Sequence, residues 1–271
     1  MRYGLIAGNG RFPLLALENA RKLGHEVVAI GIQEEASREI EPLATRTYWI
    51  SLGELSRLVE ILKSEGITEV MMAGQVKHAS IFSAIRPDWR LVKLLAALPR
   101  KNTGSLIGGV AKVLEDEGIK LTDSTALLKP LLASAGAMTR RKPDKEQVTD
   151  IEYGRTIAQA LAHWDVGQSV AISNRACVAV EAMEGTDAML RRAASLVAGR
   201  PLALVKVATR RRHLLFDVPV VGLETITVMR ETGTTVLAVD AGRTLMLDRT
   251  EMIQKADEAD ISIVGYEPKE D

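Results

Sequence analysis

The chain has 271 residues, 46% of them hydrophobic, with 35 Lys plus Arg balanced by 35 Asp plus Glu. That length suits one large domain or two ordinary ones, and zero net charge leaves no global field to recruit nucleic acid or an anionic membrane. A single cysteine excludes an internal disulfide framework and a cysteine-based zinc site.

Tyr3 to Ala7 reads as a short buried strand, and Phe12 to Leu23 as a helix with its apolar face at Leu14, Leu15, Leu17 and Ala20. Gly24 stops that helix, and Val27 to Ile30 is the next strand. A helix over Glu54 to Ser64, a stop at Gly66 and a strand over Glu69 to Ala73 follow. This alternation predicts a parallel sheet covered by helices. Further amphipathic helices are expected over Asp88 to Leu98 and Ser105 to Glu117.

The stretch from Ser134 to Lys145 is small, polar and basic, with Gly and Pro, and reads as a linker. The expected organisation is therefore an N-terminal domain over 1–134, a linker over 135–145 and a C-terminal α/β domain over 146–271. In that second half, a helix from Glu146 to His163 precedes strands near Ser169 to Ile172, Cys177 to Val180, Leu202 to Lys206, Val236 to Val239 and Ile261 to Val264. Helices are expected near Asp187 to Val197, Glu224 to Glu231 and Thr250 to Glu258. No apolar run approaches transmembrane length, and the N-terminus goes straight into a strand, so a cytoplasmic protein is expected, with peripheral membrane contact left open.

Chemistry is expected at the strand ends. Gly8-Asn9-Gly10 follows the first strand, where glycines let a backbone approach a phosphate and a helix N-terminus favours negative charge. Pro13 stands where a dinucleotide fingerprint needs its third glycine, and Glu34 is a weak match for its ribose contact; a tight strand-to-helix turn is the lesser alternative for the glycines. Gln75 and Lys77 follow the strand ending at Ala73, facing either a phosphate or sugar or only solvent. His25, His78, His163 and His213 show no metal-ligand spacing.

The densest signal lies in the second half. Glu181, Glu184 and Asp187 crowd around Gly185-Thr186, directly after an apolar strand. Acids are poor strand and core formers, so a divalent cation or a phosphate-transfer centre suits them; alternatively Thr186 caps the next helix and Asp187 favours its dipole. Phe216-Asp217-Val218-Pro219 places an acid just before a proline that pins the backbone. Asp165 to Gln168 and Asp240 to Thr244 repeat the theme of acid, glycine and polar side chain beside a strand.

These segments, in order, resemble the UDP-2,3-diacylglucosamine pyrophosphatase family of the LpxI type. The similarity runs through Gly4 to Gly10, Lys142-Pro143-Asp144, Asp150 to Gly154, Asp165 to Gln168, Ala179 to Asp187, Phe216 to Gly222 and Asp240 to Leu245. The resemblance implies a Rossmann-like N-terminal domain and a C-terminal α/β domain with a lipid-linked nucleotide sugar between them. It implies Mg²⁺-assisted hydrolysis to UMP and 2,3-diacylglucosamine 1-phosphate, a step of lipid A synthesis on the cytoplasmic side of the inner membrane. Asp217 is then the leading candidate for catalysis and metal binding, with Asp187 in the same roles and Glu184 catalytic. Gly8, Asn9, Gly10, Gln75, Lys77, Gln168, Thr186 and Thr244 would contact substrate. A homodimer and transient contact with the inner-membrane surface complete the expectation, with no nucleic-acid partner.

One segment departs from the family pattern. Where the family runs Lys-Pro-x-Gln-Asp-x-Arg before Phe-Asp-Val-Pro, this chain reads Thr209 to Leu215, with His213 for the acid and Leu215 for the arginine. That departure keeps a second reading open, a catalytically weak or inactive homologue that binds a lipid or nucleotide sugar. A third, a nucleotide-dependent oxidoreductase, rests on the first glycine loop alone.

Overall fold

The computed structural model describes residues 1–76, 86–98, 103–208 and 218–268. Two compact units divide the chain, Met1–Leu128 and Lys129–Asp271.

The first unit is built on strands β1 (Arg2–Ala7), β2 (Glu26–Ile32), β3 (Arg46–Ile50), β4 (Glu69–Ala73) and β5 (Lys120–Leu121). They form one parallel sheet in the order β3-β2-β1-β4-β5. Val27, Val28, Ala29 and Ile30 are all buried, the pattern of a strand covered on both faces. Helices α1 (Phe12–Lys22), α2 (Leu55–Ser64), α3 (Trp89–Ala97) and α4 (Thr103–Asp116) complete the unit. Pro13 in the first turn of α1 costs no hydrogen bond, and Phe12, Ala16, Leu17 and Ala20 bury its apolar stripe. Asp88 caps α3 by accepting from Leu91 N at 2.9 Å and ties it to α2 by accepting from Ser56 N at 2.5 Å. Strand β3 went unread in the sequence, although Thr47-Tyr48-Trp49-Ile50 is strand-like; it is a half-exposed outer strand with a charged start.

The second unit contains β6 (Gly136–Ala137), α5 (Lys145–His163), β7 (Ser169–Ser173), β8 (Ala176–Val180), α6 (Thr186–Leu196) and β9 (Leu202–Lys206). After these come β10 (Val220–Val221), α7 (Leu223–Glu231), β11 (Thr234–Asp240), β12 (Leu245–Met246), α8 (Arg249–Glu258) and β13 (Ser262–Tyr266). The main sheet has the order β6-β13-β11-β9-β7-β8. Its centre, β13-β11-β9, is parallel, and β6, β7 and β8 pair antiparallel. Alternate residues serve opposite faces. Ala203, Val205, Val236 and Ala238 pack with Ile151 and Ala158 of α5. Leu202, Leu204, Leu237 and Val239 pack with Met189 and Leu190 of α6, Met229 of α7 and Met252 of α8. The expected α/β architecture with a parallel N-terminal sheet is what the chain adopts.

The segment 135–145, expected as a linker, is part of the second unit. Its strand β6 pairs with β13, Met138 N donates to Ile263 O at 2.8 Å, and Thr139 Oγ1 accepts from Ile263 N at 2.8 Å. Its basic residues find partners beside the end of α8: Arg140 N donates to Asp257 Oδ1 at 2.8 Å and Arg141 to Asp260 O at 2.7 Å. A polar, basic composition looked like solvated chain because the groups it satisfies lie more than a hundred residues away in sequence.

Candidate active site

In the first unit the carboxyl ends of β1 and β4 adjoin, and the chain reverses its direction of strand placement between them. Open α/β sheets bind ligands at such a point. Gly8, Asn9 and Gly10 follow β1, and Gly74 and Gln75 follow β4. The two loops cross in contact: Asn9 N donates to Gln75 O at 2.7 Å, Gln75 N to Asn9 O at 3.0 Å, and Gly8 N to Ala73 O at 2.8 Å. A Cβ at Gly8 would stand 2.6 Å from Gln75 O, and one at Gly74 would stand 2.6 Å from Asn9 O. These two glycines thus answer to a neighbouring backbone in the same unit. Glu34, the suggested ribose partner, accepts from Leu52 N at 3.3 Å. Lys77 and His78 lie outside the described residues.

The second unit gathers charge at the equivalent edge. Lys206 ends β9 and is paired in register with Ser169, which opens the antiparallel β7. Glu181 follows β8, and Thr186 and Asp187 open α6. Lys206 Nζ donates to Thr186 Oγ1 at 2.9 Å, and that hydroxyl donates to Glu181 Oε1 at 2.9 Å, with Ser169 Oγ 3.2 Å away. Glu181 and Lys206 are both buried. Burial pushes the Glu181 carboxyl up, but the Lys206 charge and hydrogen bonds from Ser169, Thr186 and the Gln168 amide outweigh it and hold it below its ordinary value. Gly167 is required here, because a Cβ on it would fall 2.1 Å from Glu181 O.

Asp187 differs from its neighbour. It is half-buried, and among the described residues it accepts no hydrogen bond and forms no ion pair. Burial, reinforced by Glu224 and Glu181, raises its carboxyl above the ordinary value against the pull of Lys206 and Arg191. Glu184 is turned elsewhere, accepting from Arg192 at 2.6 Å and from Ala182 N at 3.1 Å in an exposed loop. The Thr186 hydroxyl is committed to Lys206 and Glu181. Thr244 is fully buried, its carbonyl accepts from Ala133 N at 2.9 Å, and its Oγ1 has no hydrogen bond among the described residues.

A second buried acid, Asp240, ends β11 on the same edge. Its carboxylate accepts from Ala208 N at 2.9 Å and from Arg155 of α5 at 3.3 Å, and Arg155 also donates to Glu267 O at 2.7 Å. Burial raises the Asp240 carboxyl despite these partners. Ala208 is the last described residue before the stretch that carries Asp217, His213 and Leu215, all outside the described residues.

Among the described residues no group of three or more His, Cys, Asp or Glu side chains could hold a metal ion. Magnesium needs fewer protein ligands than that, usually one or two carboxylates plus substrate phosphates, so the carboxylate of Asp187, without a hydrogen bond among the described residues, fits it.

Two family models match the chain, one described as the LpxI N-terminal domain over residues 2–131 and one as the LpxI C-terminal domain over residues 134–264. The chain belongs to the LpxI family. A curated relative from Caulobacter vibrioides, named UDP-2,3-diacylglucosamine pyrophosphatase LpxI, is 29% identical over 283 aligned residues spanning 99% of each chain. Solved structures similar to parts of this LpxI-family chain include a UDP-glucose-4-epimerase from Stenotrophomonas maltophilia with NAD and formylated UDP-arabinopyranose. It shows 13% identity and a TM-score of 0.30, covering 44% of this chain and 34% of that one. Another is the biotin carboxylase domain of a thermophilic 2-oxoglutarate carboxylase, at 14% identity and a TM-score of 0.28, covering 62% and 34%. At this level of similarity neither bears on function. No helix among the described residues is long and apolar enough to cross a membrane.

Proposed function

We propose that this protein is a hydrolase that cleaves the pyrophosphate of UDP-2,3-diacylglucosamine in lipid A synthesis, releasing UMP and 2,3-diacylglucosamine 1-phosphate with Mg²⁺ as cofactor. The observation that carries the reading is the end-to-end match to both LpxI domains. The half-buried carboxylate of Asp187, which accepts no hydrogen bond among the described residues, at the carboxyl edge of the second sheet supports it.

Asp187 and Asp217 would hold the metal, which supplies charge neutralisation at the bridging phosphates. The remaining work falls to the chain. Lys206, Thr186 and Glu181 hold the first turn of α6 in place. Asp240 and Arg155 anchor the chain at Ala208, nine positions before Asp217 in sequence. The lipid substrate implies transient work at the inner face of the inner membrane, and a homodimer is part of this proposal.

The departure at His213 and Leu215 favours a second reading, a homologue that binds the lipid or nucleotide sugar with little turnover. UMP release from UDP-2,3-diacylglucosamine, with and without Mg²⁺, separates the two. Mg²⁺-dependent release that Asp217→Asn abolishes is the expected result. Binding without release, even with metal in excess, would overturn the hydrolase reading in favour of the second.

A further inference from the structure

Lys206 ends an otherwise apolar strand. Leu202, Ala203, Leu204 and Val205 are each 2% exposed or less, and Lys206 is only 9% exposed. It continues the face of Leu202 and Leu204, which packs against α6, α7 and α8. An apolar side chain would suit that face, and a buried ammonium carries a desolvation penalty that packing does not explain. The ammonium donates to Thr186 Oγ1 at 2.9 Å, and the Thr186 hydroxyl in turn donates to Glu181 Oε1 at 2.9 Å. Thr186 is the first residue of α6 and Asp187 the second. Gly185 caps that helix without a side-chain hydrogen bond, so this relay supplies the polar anchoring of the turn.

We propose that Lys206 is a positioning residue for the hydrolytic centre: by donating to Thr186 it fixes the first turn of α6, and with it the Asp187 carboxylate, in the geometry that turnover requires. The inference rests on the pyrophosphatase reading. The rival explanation is a buried charge couple between Lys206 and Glu181, bridged by Thr186, that serves stability alone, and the two part company when both charges are removed together.

Lys206→Met strands the buried Glu181 carboxylate and should lower Tm. Lys206→Met combined with Glu181→Gln removes both charges and keeps the shapes, so Tm should return close to that of the wild type. Under the proposal kcat for UMP release stays down by about 10- to 100-fold in that double variant, the cost typical of a lost supporting contact, while KM changes by less than about twofold. Lys206→Arg should recover part of kcat. Recovery of kcat together with Tm in the double variant would overturn the inference. Wild-type protein that releases no UMP would instead overturn the pyrophosphatase reading on which it rests.

Discussion

The two units finish their parallel strands in different materials. At the ends of β1 and β4 the chain places backbone: Gly8, Asn9, Gly74 and Gln75 cross within hydrogen-bond distance and leave no room for a Cβ at either Gly8 or Gly74. At the ends of β9 and β11 it places charge: Lys206, Glu181 and Asp240 are buried, with Asp187 half-buried beside them. Among the described residues the first edge is shaped by sterics. The second bears a desolvation cost that only hydrogen bonds and opposite charges offset. A glycine run therefore announces a close approach without saying to what, whereas carboxylates and a lysine in a buried edge carry information about chemistry.

The comparison breaks most directly at Asp187. Asp187→Asn should lower UMP release by about 10²- to 10³-fold, the scale of losing one preorganised charge at a reacting centre. It should not lower Tm. Burial raises the Asp187 carboxyl above its ordinary value of 3.8. A raised carboxyl stabilises the fold only below the ordinary range and loses that contribution as pH rises through the folded value. At neutral pH the ionised group is therefore a cost that asparagine removes. Retained turnover with a lower Tm would make this edge structural after all, like the first.

At the other edge the test is stability. Gly74 has φ of +91° and its missing Cβ would lie 2.6 Å from Asn9 O. Gly74→Ala should cost about 2–4 kcal/mol in urea unfolding, combining left-handed strain with a backbone collision. A loss below about 1 kcal/mol would mean that the crossing of the two loops is loose enough to leave room for a ligand there.

These differences set what the sequence could disclose. Elements that bury a face on their own read well: the strand Leu202–Lys206 and the helix at Glu54 to Ser64 fall within a residue of where they were expected, because period and stop signals are local. The two-residue strands β5, β6, β10 and β12 were illegible, since each exists only through a partner far along the chain. The acids Glu181, Glu184 and Asp187 were visible as a cluster, but their division of labour was not. Folding buries the first, leaves the last half-buried with a raised carboxyl and turns Glu184 toward Arg192. Lys206 passed as the polar end of a strand. Its signal was a lysine closing a fully apolar run, and its meaning depends on Thr186 arriving from another element. Thr244 shows a fact of the opposite kind, a hydroxyl beside a glycine that the fold buries completely, which no local pattern discloses.

The smallest expected effect sharpens the comparison through two carboxylates that each meet a cation. Glu181 does so in the interior without direct contact, through the Thr186 hydroxyl that bridges it to Lys206. Glu117, just beyond α4, does so at the surface, accepting from Lys63 of α2 and Arg90 of α3. Those two partners draw the Glu117 carboxyl from 4.5 down to about 2. A depressed carboxyl contributes stability above its ordinary value and loses it as pH falls through the folded one. Wild type and Glu117→Gln should therefore differ in urea stability above pH 4.5 and converge toward pH 2. Salt near 1 M should shrink that difference, because Lys63 is solvent-exposed, Arg90 is partly so, and the Debye length falls to about 3 Å. The loss caused by Glu181→Gln should survive the same salt, because Lys206 is buried with it and counter-ions cannot reach the gap. Salt that erased the Glu181 effect and spared that of Glu117 would reverse the assignment of interior and surface charge on which the contrast between the two units depends.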